Sequence, residues 1–439
     1  MSLPVQILTF GCQMNKLDSE LMTEALSAAG YEIVADEARA AAIIFNTCAV
    51  REHAEERVLQ RVRQLKNKRA VVVVAGCAAE RLGKTIFAKL PQVRVVCGTR
   101  YFPDIAALLA RAFAGEKIVA IGDGTLAAAG AFAAHSRPRH HGIKGFVSVM
   151  RGCNNFCTYC IVPYVRGREE SRPAAAIVRE TAALAERGAI EITLLGQNID
   201  AYGKGQNSSF ATLLALLDDE ISPRVKRFRF VTSHPRDLTE ELARTIADRP
   251  RLAAHLHMPA QSGSNQILAK MKRGYTREIY DERLRMLADI LPTAAVVSDF
   301  IVGFPGETAD DFAATIALVE QARFQTAYVF KYSPRPGTWS AENLPDDIPL
   351  TVKKERNLRL LKVQEAISRE RHAALIGREV EVLVEGLSTT DATKMSGRTS
   401  NNLNVVFPLT DGVAAGDWAK IKVIGSSPLT LQGQLTIDN

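Results

Sequence analysis

Six of the seven cysteines fall into two sets whose spacing suits metal chemistry. Cys153, Cys157 and Cys160 are local, in the run Arg151-Gly152-Cys153-Asn154-Asn155-Phe156-Cys157-Thr158-Tyr159-Cys160. The other three are dispersed: Cys12 follows Thr9-Phe10-Gly11, Cys48 follows Phe45-Asn46-Thr47, and Cys77 follows Val74-Ala75-Gly76. Three thiolates are one short of the four that fill a tetrahedral zinc site or bind every iron of a [4Fe–4S] cube. A cube held by three leaves one iron open to a ligand that is not protein, such as a small molecule with an amine and a carboxylate. Two incomplete sets point to two reactive clusters. For the local set a zinc knuckle is the alternative, but no fourth Cys or well-spaced His lies nearby. Phe156 and Tyr159 flank its ligands, suited to shielding a cluster or stacking on a base.

The dispersed set needs a fold to assemble it. Apolar runs at Val5–Phe10, Ala42–Asn46, Val71–Ala75 and Val93–Val96 read as buried strands. Helical patterns at Asp18–Ala29, Glu52–Lys66 and Ile105–Ala114 alternate with them. The pattern predicts an α/β unit over residues 1–121 with a doubly wound parallel sheet, whose ligand-binding rim is formed by the loops at the carboxyl ends of its strands. Cys12, Cys48 and Cys77 each lie within two residues of such an end, so sheet geometry brings them together. Cys97 also follows a strand. It is read as a small core residue, because free Cys packs well in apolar surroundings, with a fourth ligand as the alternative.

Residues 122–142, rich in Ala, Gly, Pro and His, read as a linker. Its His140-His141 pair is read as part of a solvated loop, with metal binding the alternative. From 143 to 376 the alternation resumes. Strands are expected at Phe146–Met150, Glu191–Leu195, Arg227–Val231, Ala254–Met258, Ala295–Val302 and Ala327–Phe330, with helices that include Ala174–Arg187, Leu238–Asp248 and Asp310–Gln321. Six βα units predict a partial (β/α)6 barrel with its reactive loops at the carboxyl face. Thr351–Ile376 reads as one long charged helix packed on that barrel, with RNA contact as the alternative. Short β-like runs at Glu379–Glu385, Leu403–Phe407, Trp418–Ile424 and Leu431–Thr436 predict a small all-β barrel over 377–439.

With 439 residues, 47% of them hydrophobic and 23% charged, the chain has the composition of a soluble multidomain protein. No apolar run approaches the ~20 residues of a membrane span. The start, Met1-Ser2-Leu3-Pro4, lacks the features of a secretory leader, so a reducing, cytoplasmic setting is expected in which cysteines act as metal ligands. The net charge of +7 permits a polyanionic partner without requiring one.

The C-x3-C-x2-C run resembles that of the radical S-adenosylmethionine (SAM) superfamily. The resemblance implies that the open iron binds the methionine end of SAM, and that one electron then splits SAM into methionine and a 5′-deoxyadenosyl radical. It also implies cofactor contacts at Tyr159 and at later strand ends. Those are Gln197 in Leu195-Gly196-Gln197-Asn198, Ser233 in Thr232-Ser233-His234-Pro235, Gln261 in Gln261-Ser262-Gly263-Ser264, and Asp299 and Gly303 in the stretch Asp299–Glu307. The bland reading of each polar residue is a turn former.

Gly11-Cys12-Gln13-Met14-Asn15 with Asp18-Ser19-Glu20, Asn46-Thr47-Cys48-Ala49-Val50-Arg51-Glu52 and Gly76-Cys77-Ala78 are similar to the N-terminal domain of the radical SAM methylthiotransferases. The likeness spans nearly the whole chain, ends in a TRAM-like barrel, and is nearest to the MiaB branch. It implies conversion of N6-isopentenyladenosine beside the tRNA anticodon, at position 37, into the 2-methylthio derivative. It further implies two [4Fe–4S] clusters, one held by Cys12, Cys48 and Cys77 and one by Cys153, Cys157 and Cys160. SAM serves as both methyl donor and radical source. Radical chemistry suits an aromatic C2–H, which is far too weak an acid for a side-chain base near neutral pH.

The implied partners are the tRNA anticodon stem-loop, an electron donor such as flavodoxin or ferredoxin, and a sulfur source; a monomer is the default. Candidate RNA contacts are Lys394, Arg398, Asn401 and Asn402, each of which also reads as an ordinary surface residue. The rivals are methylthiolation of a ribosomal-protein aspartate or of threonylcarbamoyladenosine in tRNA, and an RNA-binding protein with structural metals. The stretch Arg166-Gly167-Arg168-Glu169-Glu170-Ser171-Arg172 is more acidic than in some relatives, and its role is open at this point.

Overall fold

The computed structural model of the protein describes residues 2–49, 52–67, 69–124 and 142–436. His140, His141 and most of the expected linker lie outside the described residues. The N-terminal unit is one six-stranded parallel sheet. Its strands are β1 (Pro4–Thr9), β2 (Glu32–Ile33), β3 (Ala42–Thr47), β4 (Val71–Gly76), β5 (Val93–Cys97) and β6 (Ile118–Ala120), in the order β2-β1-β3-β4-β5-β6. Ala42-Ile43-Ile44-Phe45 is continuously apolar because both faces of β3 are covered. Ile44, Val73 and Val95 join one core, and Ile43, Phe45, Val72 and Val74 the other. The edge strands β2 and β6 are two and three residues long, too short to show a pattern.

The helix Gln13–Ala28 begins five residues earlier than its apolar pattern suggests. Its first turn, Gln13-Met14-Asn15-Lys16, is held by a cap instead of packing: the Cys12 amide donates to Asn15 Oδ1 at 3.2 Å, within a reciprocal capping box.

The central unit contains β7 (Lys144–Ser148), β8 (Met150–Arg151), β9 (Glu170–Ser171), β10 (Glu191–Leu195), β11 (Arg227–Phe230), β12 (His255–His257), β13 (Ala295–Val302) and β14 (Thr326–Lys331). Two parallel three-stranded sheets, β7-β10-β11 and β12-β13-β14, continue into one another through a parallel bridge between Phe228 and Leu252 and a bond from the Ser233 amide to the His257 carbonyl at 3.0 Å. The six strands form the expected partial barrel. The long helix Leu350–Ala373 clamps its last strand, with Asn357 Nδ2 donating to the Val329 carbonyl at 2.9 Å and Gln364 Nε2 to the Phe324 carbonyl at 2.8 Å.

The C-terminal unit is a closed barrel of β15 (Glu379–Leu387), β16 (Lys394–Arg398), β17 (Asn404–Pro408), β18 (Trp418–Ser426) and β19 (Thr430–Leu435). It sits on the amino ends of the partial-barrel strands, opposite the rim that carries the chemistry. Arg229 Nη1 and Nη2 donate to the carbonyls of Ser400 and Thr399, and Lys226 Nζ donates to that of Gly416 at 3.0 Å. No described helix is long and apolar enough to cross a membrane.

Candidate metal and cofactor centre

Cys12, Cys48 and Cys77 follow β1, β3 and β4; the first two flank the point of the strand order where the sheet changes winding direction, and the third lies on the next strand. A buried amide lattice locks these three strand ends together. Asn15 Nδ2 donates to Asn46 Oδ1 at 3.2 Å and to the Thr47 carbonyl at 3.0 Å. Asn46 Nδ2 returns bonds to the Asn15 carbonyl at 2.7 Å and to Ser19 Oγ at 2.9 Å. Thr47 Oγ1 donates to the Ala75 carbonyl at 2.6 Å. Close approach needs glycine beside two of the cysteines. Gly76 has φ +93°, and a Cβ there would strike the Thr47 carbonyl and Asn46 Oδ1; a Cβ on Gly11, φ +140°, would strike Cys48 and Asn15.

The three thiols differ in their surroundings. A hydrogen bond with Cys48 lowers the Cys12 pKa to about 6, against the opposing effect of burial and with help from the Arg166 charge. Burial pushes the Cys77 thiol up, partly offset by Arg166. Cys97 stands apart: it is fully buried in the sheet core with Phe102 and Ile105, and burial pushes its thiol far up.

The second set occupies the loop between β8 and the short helix Val162–Arg166. Gly152, at φ +75°, leaves no room for a Cβ against the backbone of Gly167 and Arg168. The Cys153 amide donates to the Gly167 carbonyl at 3.1 Å. The acidic stretch finds its role here. Glu169 Oε1 accepts the Asn154 amide at 3.0 Å, the Glu169 amide donates back to Asn154 Oδ1 at 3.2 Å, and Glu170 pairs with Arg151 at 2.6 Å. These acids tie the loop closed. Burial raises the Cys153 thiol to about 11 and that of Cys160 to about 12, so iron binding at these positions must displace protons.

One turn of helix joins the two sets. Ile161 and Val165 pack on Cys77, Ala49 and Ala78. Arg166, buried, donates through Nη2 to Asp18 Oδ2 at 2.6 Å. Burial pushes the Asp18 carboxyl up while the Arg166 charge pulls it down. The Thr99 hydroxyl donates to the Val165 carbonyl at 2.8 Å. The backbone that follows Cys160 is therefore built into the wall of the dispersed set.

Three of the six expected cofactor contacts, Gln197, Ser233 and Gln261, lie beyond the ends of β10, β11 and β12. Gln197 Oε1 accepts the Gly152 amide at 2.5 Å, and its Nε2 is buried without a partner. Asn198 Oδ1, Asp200 Oδ2 and His234 Nε2 are likewise buried and unpaired. Ser233 Oγ donates to Asp200 Oδ1 at 3.0 Å. Burial lifts Asp200 to about 7 and lowers His234 to about 2, so the imidazole is neutral. Its Nδ1 accepts the Arg236 amide, which leaves Nε2–H as a donor. Unsatisfied buried donors and acceptors at the ends of β10 and β11 suit a small zwitterionic ligand. Thr232 and Gln261, at φ +75° and +71°, hold strained backbone at the ends of β11 and β12.

Other candidates are placed differently. Asp299 faces His257 across β12 and β13 at 3.2 Å. The Gly303 amide is capped by Glu307 Oε2 at 2.6 Å, and a Cβ there would meet the Lys353 side chain, so this turn is filled by protein. Tyr159 packs edge-on against Phe304. Arg273, which no spacing rule singles out, reaches Cys157 Sγ through Nη1 at 3.3 Å.

Two of the four candidate RNA contacts, Asn401 and Asn402, reach across the seam between the two barrels with their side chains, while Arg398 meets it through its backbone and keeps a guanidinium 42% exposed. The Arg398 carbonyl accepts from Arg227 Nη1 at 2.9 Å, while its guanidinium donates to Asn402 Oδ1 at 3.0 Å. Asn401 Nδ2 donates to the Thr293 carbonyl at 2.9 Å, and Asn402 Nδ2 lies 3.5 Å from His255 Nε2. Lys394 is on the outer surface, beside Asp391 at 3.0 Å.

The donor chemistry fits an iron–sulfur cube: three thiols in each set, glycine-cleared approaches and polar groups free for a bound cofactor. Among the described residues, no three His, Cys, Asp or Glu side chains converge on a single metal ion. A cube takes each thiolate at a different iron and does not require such convergence.

Residues 4–98 match the Uncharacterized protein family UPF0004, residues 147–319 the radical SAM superfamily and residues 373–436 the TRAM domain. The chain is 42% identical to the tRNA-2-methylthio-N(6)-dimethylallyladenosine synthase of Moorella thermoacetica, covering 98% of each. It is 43% identical to that of Thermoanaerobacter pseudethanolicus, covering 97% of this chain and 91% of that one. For that of Chlorobium phaeobacteroides the identity is 39%, covering 99% and 97%. Among solved structures, the radical S-adenosylmethionine methyltransferase TsrM from Kitasatospora setae superposes with a TM-score of 0.54 at 16% identity, over 78% of this chain and 74% of that one, a likeness of fold. On its three matched domains and its full-length identity, the chain belongs to the tRNA-2-methylthio-N(6)-dimethylallyladenosine synthase family of radical SAM methylthiotransferases.

Proposed function

We propose that the chain converts N6-isopentenyladenosine at position 37 of tRNA to its 2-methylthio derivative, using a second [4Fe–4S] cluster on Cys12, Cys48 and Cys77 beside the SAM-binding one on Cys153, Cys157 and Cys160. Bound there, the clusters supply the electron that splits SAM and the sulfur that is methylated and transferred. The protein's own work is placement. The amide lattice of Asn15 and Asn46 fixes three strand-end thiols, and the ties from Glu169 and Glu170 fix the other three. The unpaired atoms of Gln197, Asn198, Asp200 and His234 offer donors and acceptors to the amine, carboxylate and ribose of SAM.

The observation that carries this reading is the helix Val162–Arg166, which begins next to the Cys160 loop and ends against Asp18 and the dispersed thiols. Substrate bound between the sets would reach both. The TRAM barrel would hold the anticodon arm through its outer surface, where Lys394 and the part-exposed Arg398 guanidinium lie, because Asn401 and Asn402 serve the seam. An external one-electron donor, a flavodoxin or ferredoxin, and a sulfur donor complete the reaction.

The test is iron and sulfide per chain after anaerobic reconstitution, in wild type and in the Cys153/Cys157/Cys160→Ala triple variant. It is paired with nucleoside analysis of tRNA that carries isopentenyladenosine. About eight irons falling to about four, with the 2-methylthio nucleoside formed only by wild type, is the expected result. Four irons in wild type and none in the variant would remove the second cluster.

A further inference from the structure

Arg273 lies in the loop before the helix Arg277–Ile290 and is buried at 5% exposure. All three nitrogens of its guanidinium donate, yet every protein partner other than the cysteine is neutral. Nη2 donates to the Pro259 carbonyl at 2.9 Å, Nε to the Tyr275 hydroxyl at 3.1 Å, and Nη1 to Cys157 Sγ at 3.3 Å and the Tyr159 hydroxyl at 3.5 Å. Tyr275 is itself pinned by bonds to the carbonyls of Pro259 and Ala260. Among the described residues no carboxylate pairs with Arg273, whereas the other buried arginines of the barrel and its rim do have one: Arg166 pairs with Asp18, Arg172 with Glu180, and Arg227 and Arg229 with Glu191.

A buried guanidinium without an anion is costly. The group that this one faces across its open side is the Cys157 sulfur, 3.3 Å from Nη1. The cysteine loop is fastened to the same segment, since the Thr158 amide donates to the Met271 carbonyl at 3.0 Å and its hydroxyl to the Lys270 carbonyl at 2.9 Å. The contact between cation and sulfur is thus fixed from both sides.

We propose that Arg273 is the built-in counterion of the Cys153/Cys157/Cys160 cluster, and that its hydrogen bond to Cys157 Sγ raises the cluster's reduction potential. This rests on the assignment of a [4Fe–4S] cluster to those three cysteines. A [4Fe–4S]2+ core with three thiolates carries a net charge of −1, and one electron from a one-electron reductant takes it to −2. A fixed cation stabilises the second state more than the first, and a donor to a ligand sulfur acts in the same direction. Arg273 is a positioning residue: it touches the ligand and spends no proton in the reaction.

The experiment uses the full-length chain with Cys12, Cys48 and Cys77 replaced by Ala, so that one cluster is observed. After reconstitution, iron content is measured and the cluster is titrated with dithionite and redox mediators, with electron paramagnetic resonance as readout. Arg273→Met and Arg273→Lys are compared with the parent. Arg273→Met is expected to keep about four irons and to lose at least tenfold in the equilibrium constant for reduction, a fall of about 59 mV for a one-electron couple. Arg273→Lys is expected to fall between the two.

An unmoved midpoint with full iron would overturn the proposal. If Arg273→Met binds no iron, Arg273→Gln decides, since it keeps a polar side chain while removing the charge: a midpoint below the parent's is expected, and an unchanged midpoint with full iron would overturn the proposal. No iron in the parent would instead refute the cluster assignment itself.

Discussion

The two cysteine sets reach the same donor count by opposite routes. The local set is written into one loop and needs only to be held in shape, by glycine at 152, the Glu169 and Glu170 ties, and the segment from Lys270 to Arg273. The dispersed set exists only because three parallel strands end side by side, braced by Asn15, Asn46 and Thr47. Their electrostatics differ as well. The arginine beside the dispersed thiols is already neutralised by Asp18, whereas the arginine at Cys157 has no carboxylate among the described residues. A loop-borne site can be tuned by one neighbour, but a sheet-borne site depends on the integrity of the fold.

The sharpest way to separate the two is by function. Cys157→Ala should abolish SAM cleavage. Cys48→Ala should still cleave SAM abortively and form no 2-methylthio product; product from that variant would remove the second-cluster assignment. Thiol reactivity in the iron-free protein gives the next contrast. Cys12, an exposed residue with its pKa lowered to about 6, carries a thiolate at neutral pH, whereas Cys153 and Cys160, raised to about 11 and about 12, do not. Iodoacetamide mapped by mass spectrometry should label Cys12 faster by on the order of a hundredfold or more, with its rate levelling off above pH 7. Equal rates would erase the distinction.

Stability comes next. Asp18→Asn would leave the Arg166 charge buried without its partner, at a cost of about 3–5 kcal/mol, read as a drop in the denaturation midpoint and in iron at the dispersed set. Asn46→Ala breaks the bonds to Asn15 and Ser19 and should cost about 2–3 kcal/mol. Half of the iron should go with it while SAM cleavage survives. Loss of SAM cleavage in that variant would mean that the local set leans on the sheet more than its own ties indicate. Smallest of all, Cys97→Ala should cost about 1 kcal/mol and leave iron at the wild-type level, and a clear loss of iron would promote Cys97 to a ligand.

Much of this was legible in the chain because parallel strands covered on both faces are apolar throughout, as in Ala42-Ile43-Ile44-Phe45 and Val71-Val72-Val73-Val74. What escaped was whatever depends on partners far away in sequence. β16, Lys394-Met395-Ser396-Gly397-Arg398, has little apolar pattern, because its stability comes from pairing with β15 and β17 in a closed barrel. Arg398, Asn401 and Asn402 look like solvated residues until Arg227, Thr293 and His255 appear beside them. Arg166 and Arg273 are ordinary basic residues on the page, and their value lies in contacts across 148 and 116 positions of chain. The acidity of Glu169 and Glu170 was visible, but its purpose was not, because a loop tie has no periodicity.

The helix Val162–Arg166 has five residues, and at ~1.5 Å of rise each it is roughly 7.5 Å long. It is anchored at one end by the Cys160 loop and at the other by a buried ion pair. A spacer that short has no room for a hinge, so the jaws of this tool are locked at one gauge. If both sets carry clusters, the nucleotide would have to be drawn out of its stack and brought to that fixed gauge.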